Sequence, residues 1–96
     1  PRWYEIFVTY VGNHRAEAFR LVQMLRAEGI KADLDHCGRS LKAQFKYANK
    51  TGTPLTGVIG DEEADAGAVK IKNMATGEEQ TVSVQDAPAL IRQIIQ

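Results

Sequence analysis

The feature that most constrains the fold is an almost continuously apolar run near the start of the chain, residues 5–11 (EIFVTYV). A strand on a half-exposed sheet would alternate apolar and polar residues, whereas an uninterrupted β-branched and aromatic run predicts an interior strand covered on both faces. Strands of this kind occur in parallel sheets with helices on either side. We therefore expect an α/β structure built around this segment.

The next segments alternate between helical and strand patterns. Asn13 is expected to cap a helix from about His14 to Glu28, which Gly29 ends. Residues 30–34 form a short alternating strand, a second helix follows, and residues 54–60 (PLTGVIG) form a third apolar strand. The buried stripe of the first helix is predicted to be Ala18, Leu21, Val22 and Leu25. This β-α-β-α-β order requires a parallel sheet with right-handed crossovers.

The last third of the chain has a different pattern. Residues 67–73 and 79–84 alternate apolar and polar side chains around a turn at residues 75–77, which predicts an antiparallel hairpin on one edge of the sheet. Asp86 and Pro88 start a final helix, whose apolar face is Leu90, Ile91, Ile94 and Ile95. The predicted fold is an α/β single domain over residues 1–96, with a five-stranded mixed sheet flanked by three helices.

Composition limits the classes of partner. Twelve basic and twelve acidic residues give a net charge of zero, so the chain as a whole does not attract a polyanion. The charges are segregated, however, because residues 38–50 hold four cations and residues 61–65 hold four acids.

A single cysteine, Cys37, excludes an internal disulfide and favours a reducing, cytoplasmic compartment. No apolar run is long enough to cross a membrane. Because the first residue is not Met, we expect either a trimmed chain or a piece of a larger protein.

Residues 38–50 (GRSLKAQFKYANK) form the most informative motif. Ser40 is a plausible N-cap and Gly52 a plausible C-terminal stop for a helix. Helical spacing places Leu41, Gln44, Phe45 and Ala48 on one face, and Lys42, Lys46, Asn49 and Lys50 on another. A one-sided cationic helix could contact RNA or phosphate, although a solvated helix face explains the same pattern.

No constellation of catalytic residues is apparent. Cys37 beside His36 does not make a dyad by adjacency alone, and His14 and His36 lack metal-ligand spacing. Asp33 and Asp35 share a strand face, which suits acid–base chemistry or Mg²⁺ but also an exposed strand end. The loop after the first strand has one glycine where a nucleotide-binding fingerprint needs three. We therefore expect a binding module with no catalytic residue, no metal and no cofactor.

Four stretches together resemble a known family: residues 16–35 (AEAFRLVQMLRAEGIKADLD), 38–54 (GRSLKAQFKYANKTGTP), 58–63 (VIGDEE) and 69–82 (VKIKNMATGEEQTV). In this order they are similar to the C-terminal anticodon-binding domain of class II aminoacyl-tRNA synthetases, and within that group to histidyl-tRNA synthetases. The resemblance implies the mixed sheet predicted above and a domain that grips the tRNA anticodon stem-loop. It implies a homodimeric, cytoplasmic parent ligase whose absent catalytic domain would use ATP. The loop at residues 11–14 is shorter than in many relatives, and Trp3 and Tyr4 lie where the domain would join its linker.

On this hypothesis the cationic helix carries the RNA contacts. Arg39 would grip a phosphate or a base edge, and Lys42, Lys46 and Lys50 would balance backbone charge. Tyr47 would stack a base or else pack against the sheet, and Gln44 would contact RNA although its helical angle lies near the core. The remaining expectations concern Lys70 and Lys72, which would protect an edge strand, and the acidic turn at residues 61–65, which would face away from RNA.

Two other functions fit the sequence. The chain could be an accessory or regulatory protein that uses a synthetase-like domain for dimerisation or RNA sensing. It could also be a doubly wound domain that binds a small ligand or nucleotide at the carboxyl ends of its parallel strands.

Overall fold

A computed structural model describes residues 4–95. Its sheet has five strands, in the spatial order β2 (Ala32–Leu34), β1 (Ile6–Tyr10), β3 (Leu55–Ile59), β4 (Ala68–Asn73) and β5 (Glu79–Ser83). Strand β1 runs parallel to β2 and β3, whereas β4 runs antiparallel to β3 and β5. The predicted α/β class and mixed sheet are confirmed. The elements are β1 (Ile6–Tyr10), α1 (Arg15–Ala27), β2 (Ala32–Leu34), α2 (Leu41–Thr51), β3 (Leu55–Ile59), α3 (Asp61–Ala66), β4 (Ala68–Asn73), β5 (Glu79–Ser83) and α4 (Ala87–Ile95).

Strand β1 is the interior strand that its apolar run predicts, since all five of its residues are buried. Ile6, Val8 and Tyr10 belong to an apolar cluster that also contains residues of α1 and α4. Phe7 points to the opposite face, where its ring lies 5.3 Å from that of Tyr47 in α2. A guanidinium–carbonyl hydrogen bond of 2.6 Å from Arg92 to Glu28 joins α4 to the end of α1. Helices α1 and α4 therefore cover one face of the sheet, and α2 covers part of the other.

The prediction of three helices was wrong, because the acidic segment forms a fourth, short helix, α3. The Glu63 carboxylate accepts the backbone N–H of Gly60 at 2.8 Å, which satisfies one free donor at the helix start. Three acidic residues in the first turn also interact favourably with the positive end of the helix dipole. Three of the four acids that suggested a turn thus stabilise the start of a helix, which ends at Gly67 with φ 63°.

The predicted cap of α1 was also wrong. His14 rather than Asn13 occupies the cap position, and no side chain caps the helix. The His14 imidazole instead lies 2.6 Å from the Asp61 carboxylate of α3 and 3.4 Å from Glu17. This contact joins the loop after β1 to the helix after β3.

The role expected for Lys70 and Lys72 was wrong because their strand is not at an edge. Strand β4 pairs with both β3 and β5, which leaves β2 and β5 as the edge strands. Both lysines are half-buried, and the Lys72 ammonium lies 5.5 Å from the centre of the Phe45 ring. At that distance the cation is attracted to the face of the ring. Lys72 therefore helps to seat α2 on the sheet.

Candidate nucleic-acid interface

Helix α2 has the caps and the two faces that its sequence predicts. The Ser40 hydroxyl accepts the Ala43 backbone N–H at 3.2 Å, and Gly52 ends the helix with φ 73°. Gln44 and Ala48 are fully buried, whereas Leu41 and Phe45 are half-buried. The exposed side consists of Lys42, Lys46, Asn49 and Lys50. Helix α2 is on the face opposite α1 and α4. Because these four residues are exposed, the cationic side is accessible to a partner.

The loop before α2 holds Arg39 against a buried carboxylate. The side chain of Asp35 is fully buried, and its two oxygens accept two hydrogen bonds from Arg39, from the backbone N–H at 2.8 Å and from Nε at 2.6 Å. Arg39 Nη2 lies 2.6 Å from the oxygen that accepts Nε–H, at ion-pair distance. Burial alone would raise the pKa of Asp35, but the hydrogen bonds and the positive charge of Arg39, together with a backbone hydrogen bond from Cys37, lower that pKa. The pair therefore remains charged, which makes its hydrogen bonds strong.

Tyr47 lies beside this pair. It was expected either to stack a base or to pack against the sheet, and it is both packed and partly exposed. Its ring packs on the buried ring of Phe7 at 5.3 Å with a 52° tilt, so it does contact the sheet. The residue nevertheless keeps 36% of its surface exposed. The Arg39 guanidinium carbon lies over the ring, 4.8 Å from its centre, at cation–π distance. Arg39 and Tyr47 thus form one exposed stack at the end of the cationic side of α2.

Gln44 was expected among the RNA contacts, and its position removes it from them. The side chain is fully buried. Its carbonyl oxygen accepts the Tyr10 backbone N–H at 3.0 Å, and its amide nitrogen donates to the carbonyl oxygens of Tyr10 at 3.0 Å and Arg39 at 2.7 Å. Gln44 therefore joins α2 to the end of β1 and has no surface left to present to RNA.

A shallow groove of about 290 Å³ beside the Arg39–Tyr47 stack contains residues that the sequence did not assign to RNA binding. Asp33, His36 and Cys37 line it together with Phe7, Leu34, Arg39 and Tyr47. The Asp33 carboxylate accepts a hydrogen bond from Arg26 Nη2 at 3.2 Å, and His36 Nε2 lies 2.8 Å from the same carboxylate oxygen. Asp33 and Asp35 thus have separate partners and do not form a carboxylate pair. No local pattern could have placed His36 in this groove.

The acidic helix lies apart from the cationic one. Ala64 of α3 packs against the apolar cluster that contains α1, on the face opposite α2. Asp61 stands at the carboxyl end of β3, next to the end of β1. A doubly wound sheet would bind the phosphate of a nucleotide at this edge, where the carboxylate would repel it.

Within residues 4–95, no helix is long and apolar enough to cross a membrane, and no group of three or more His, Cys, Asp and Glu side chains could hold a metal ion.

The family model of the anticodon binding domain matches residues 5–94, so the chain belongs to the anticodon-binding-domain family. Its curated relatives include histidine–tRNA ligases. The protein from Caldanaerobacter subterraneus subsp. tengcongensis is 42% identical over 93 residues, which cover 96% of this chain and 22% of the relative. The protein from Clostridium perfringens is 48% identical over 81 residues, 83% of this chain and 20% of the relative.

Solved structures agree with the family assignment. A histidyl-tRNA synthetase from Nostoc sp. PCC 7120 superposes with a TM-score of 0.92 at 25% identity, covering 100% of this chain and 23% of that one. The apo enzyme from S. aureus gives a TM-score of 0.83 at 35% identity, over 92% of this chain and 26% of that one. The resemblance to the anticodon-binding domain of histidyl-tRNA synthetases is therefore confirmed. The chain spans only about a fifth to a quarter of the relatives it matches.

Proposed function

We propose that this chain binds the anticodon stem-loop of a histidine tRNA and contributes to the selection of that tRNA by a histidine–tRNA ligase. The observation that carries the proposal is the open cationic side of α2, which continues into the Arg39–Tyr47 stack, in a chain of the anticodon-binding-domain family. The acids of α3 lie on the other face of the sheet, away from this surface.

The residues divide the work according to their chemistry. Anticodon bases are unstacked in a single-stranded loop, where proteins read them by stacking and by hydrogen bonds to base edges. Arg39 supplies a planar cation for these contacts, and the Tyr47 ring lies beneath it. Lys42, Lys46 and Lys50 supply compact charges that suit the phosphates of the loop backbone.

The wider assignment follows from the relatives and is part of the same proposal. Residues 1–96 are a single domain of a larger synthetase and carry out no catalysis alone. The parent is a cytoplasmic, homodimeric ligase that consumes ATP in another domain, and this domain needs no cofactor and is monomeric when isolated. Because all the relatives named above are ligases, an accessory or sensing protein is the less supported alternative.

Binding of the 96-residue chain to a histidine-anticodon stem-loop tests the proposal, with a scrambled anticodon as the comparison. We expect preference for the histidine loop and affinity that falls with salt, by about 0.7 log units per phosphate contact per log unit of salt. Changing Lys42, Lys46 and Lys50 to Gln should flatten this salt dependence. Lys31→Gln is the matched control because Lys31 is exposed and lies outside α2.

Two outcomes would contradict the proposal. Equal affinity for both loops would show that the surface grips phosphate without reading the anticodon. Absence of binding at low salt would favour the accessory or dimerisation role.

A further inference from the structure

We propose that the guanidinium plane of Arg39 is the platform on which an unpaired base of the anticodon loop stacks, and that buried Asp35 is the positioning residue that holds this plane in place. The inference rests on the proposed function and names a subsite within it. It differs from the expectation that Tyr47 stacks the base directly.

The guanidinium is fixed along one edge. Asp35 Oδ1 accepts the Nε–H of Arg39 at 2.6 Å and lies 2.6 Å from Nη2, and Oδ2 accepts the Arg39 backbone N–H at 2.8 Å. The Tyr10 hydroxyl also donates to the Asp35 backbone carbonyl at 2.9 Å, which ties the loop to β1. A flexible side chain is thereby restricted before any ligand arrives, and such preorganisation lowers the entropic cost of binding.

The Tyr47 ring supports this plane from below. The guanidinium carbon lies 4.8 Å from the ring centre, so the ring face that it covers is not available to a base. The same ring packs on Phe7. The Arg39 side chain is nevertheless 38% exposed. Guanidinium planes stack on unpaired bases in RNA complexes, and the side of the Arg39 guanidinium turned away from Tyr47 suits that contact.

Because Asp35 is charged, the positioning role can be tested by whether Asp35→Asn weakens or tightens RNA binding. A carboxylate next to an RNA site repels phosphate, so a purely electrostatic role predicts that Asp35→Asn tightens RNA binding. A positioning role predicts the reverse, because the guanidinium loses its strongest acceptor and its fixed orientation. Asp65→Asn is the matched control, since it removes an exposed acid of α3 on the other side of the sheet.

The experiment titrates the 96-residue chain with histidine-anticodon stem-loops that carry 2-aminopurine at one loop position at a time. We expect one position to be quenched by the wild-type chain, and Asp35→Asn and Arg39→Lys to lose this quenching. Each variant should lose affinity by a factor between about 5 and 150, the range for one base-stacking contact. Arg39→Lys keeps the charge, so its salt dependence should match the wild type. Asp65→Asn should retain both affinity and quenching.

The outcomes separate the two proposals. If the wild type binds and both Asp35→Asn and Arg39→Lys bind as well or better, the stacking platform is refuted and the proposed function stands. If the wild type binds neither the histidine-anticodon stem-loop nor the scrambled one at low salt, the proposed function fails, and this subsite fails with it. Thermal melting shows whether Asp35→Asn is folded, and if it is not, the result for exposed Arg39→Lys decides alone.

Discussion

The substitution Gln44→Leu tests the internal connection between α2 and β1. Leucine has nearly the same size but makes no hydrogen bond, so the Tyr10 N–H and the carbonyl oxygens of Tyr10 and Arg39 lose their bonds to this side chain. A buried polar group left without a partner costs about 1–3 kcal/mol, and the added apolar burial offsets part of this cost. We expect the free energy of unfolding to fall by about 2–4 kcal/mol, because three groups are affected.

For a domain of this size such a loss lowers the melting temperature by about 10–25 °C. Urea titration followed by circular dichroism gives the free energy of unfolding directly. Gln23→Leu is the control because Gln23 is exposed on α1, and we expect it to change stability by no more than about 0.5 kcal/mol. A Gln44→Leu variant as stable as the wild type would refute the structural role assigned to Gln44.

Three further changes have defined outcomes. A hydrogen bond to Asp61 raises the pKa of His14, so this contact stabilises the fold below about pH 6.5 and is lost as pH rises through the higher folded-state pKa. The melting temperature should fall between pH 6 and 8, less steeply in His14→Gln, and identical slopes would contradict the assignment. Gly57→Ala places a Cβ 3.1 Å from Val69 Cγ2 inside the core and should cost about 1 kcal/mol in urea titration; a gain in stability would show that the core yields. Ser40→Ala removes the cap of α2 and should also cost about 1 kcal/mol, and an unchanged urea midpoint would mean that the cap is unimportant.

Most of the fold could be predicted because the local spacing of apolar residues shows which side chains are buried. The apolar run of β1 and the alternation of β4 and β5 each specify a strand and its covered faces. Helix α3 was missed because it has no apolar stripe. Its stability comes from the Gly60–Glu63 hydrogen bond and from acids at its positive end, and the sequence alone showed only a cluster of charge.

For the candidate site, helical spacing predicted which face of α2 each residue occupies but not its partners in other elements. Spacing correctly placed the lysines of α2 outside and Gln44 near the core. It could not supply the partner of Gln44, since Tyr10 lies 34 residues away in the chain. It also could not pair Asp35 with Arg39, because the residues between them form a loop rather than a helix. Gly57 is a similar case, because the sequence does not show that Val69 Cγ2 would lie 3.1 Å from a Cβ added there.

The most direct test of the central claim is to map where the histidine-anticodon stem-loop contacts the chain. Amide chemical shifts of the 96-residue chain, recorded by NMR during titration with the stem-loop, report every backbone position at once. We predict the largest changes in the loop from His36 and along α2, with little change in α3. Changes centred on the acidic residues of α3, with α2 unaffected, would contradict the account.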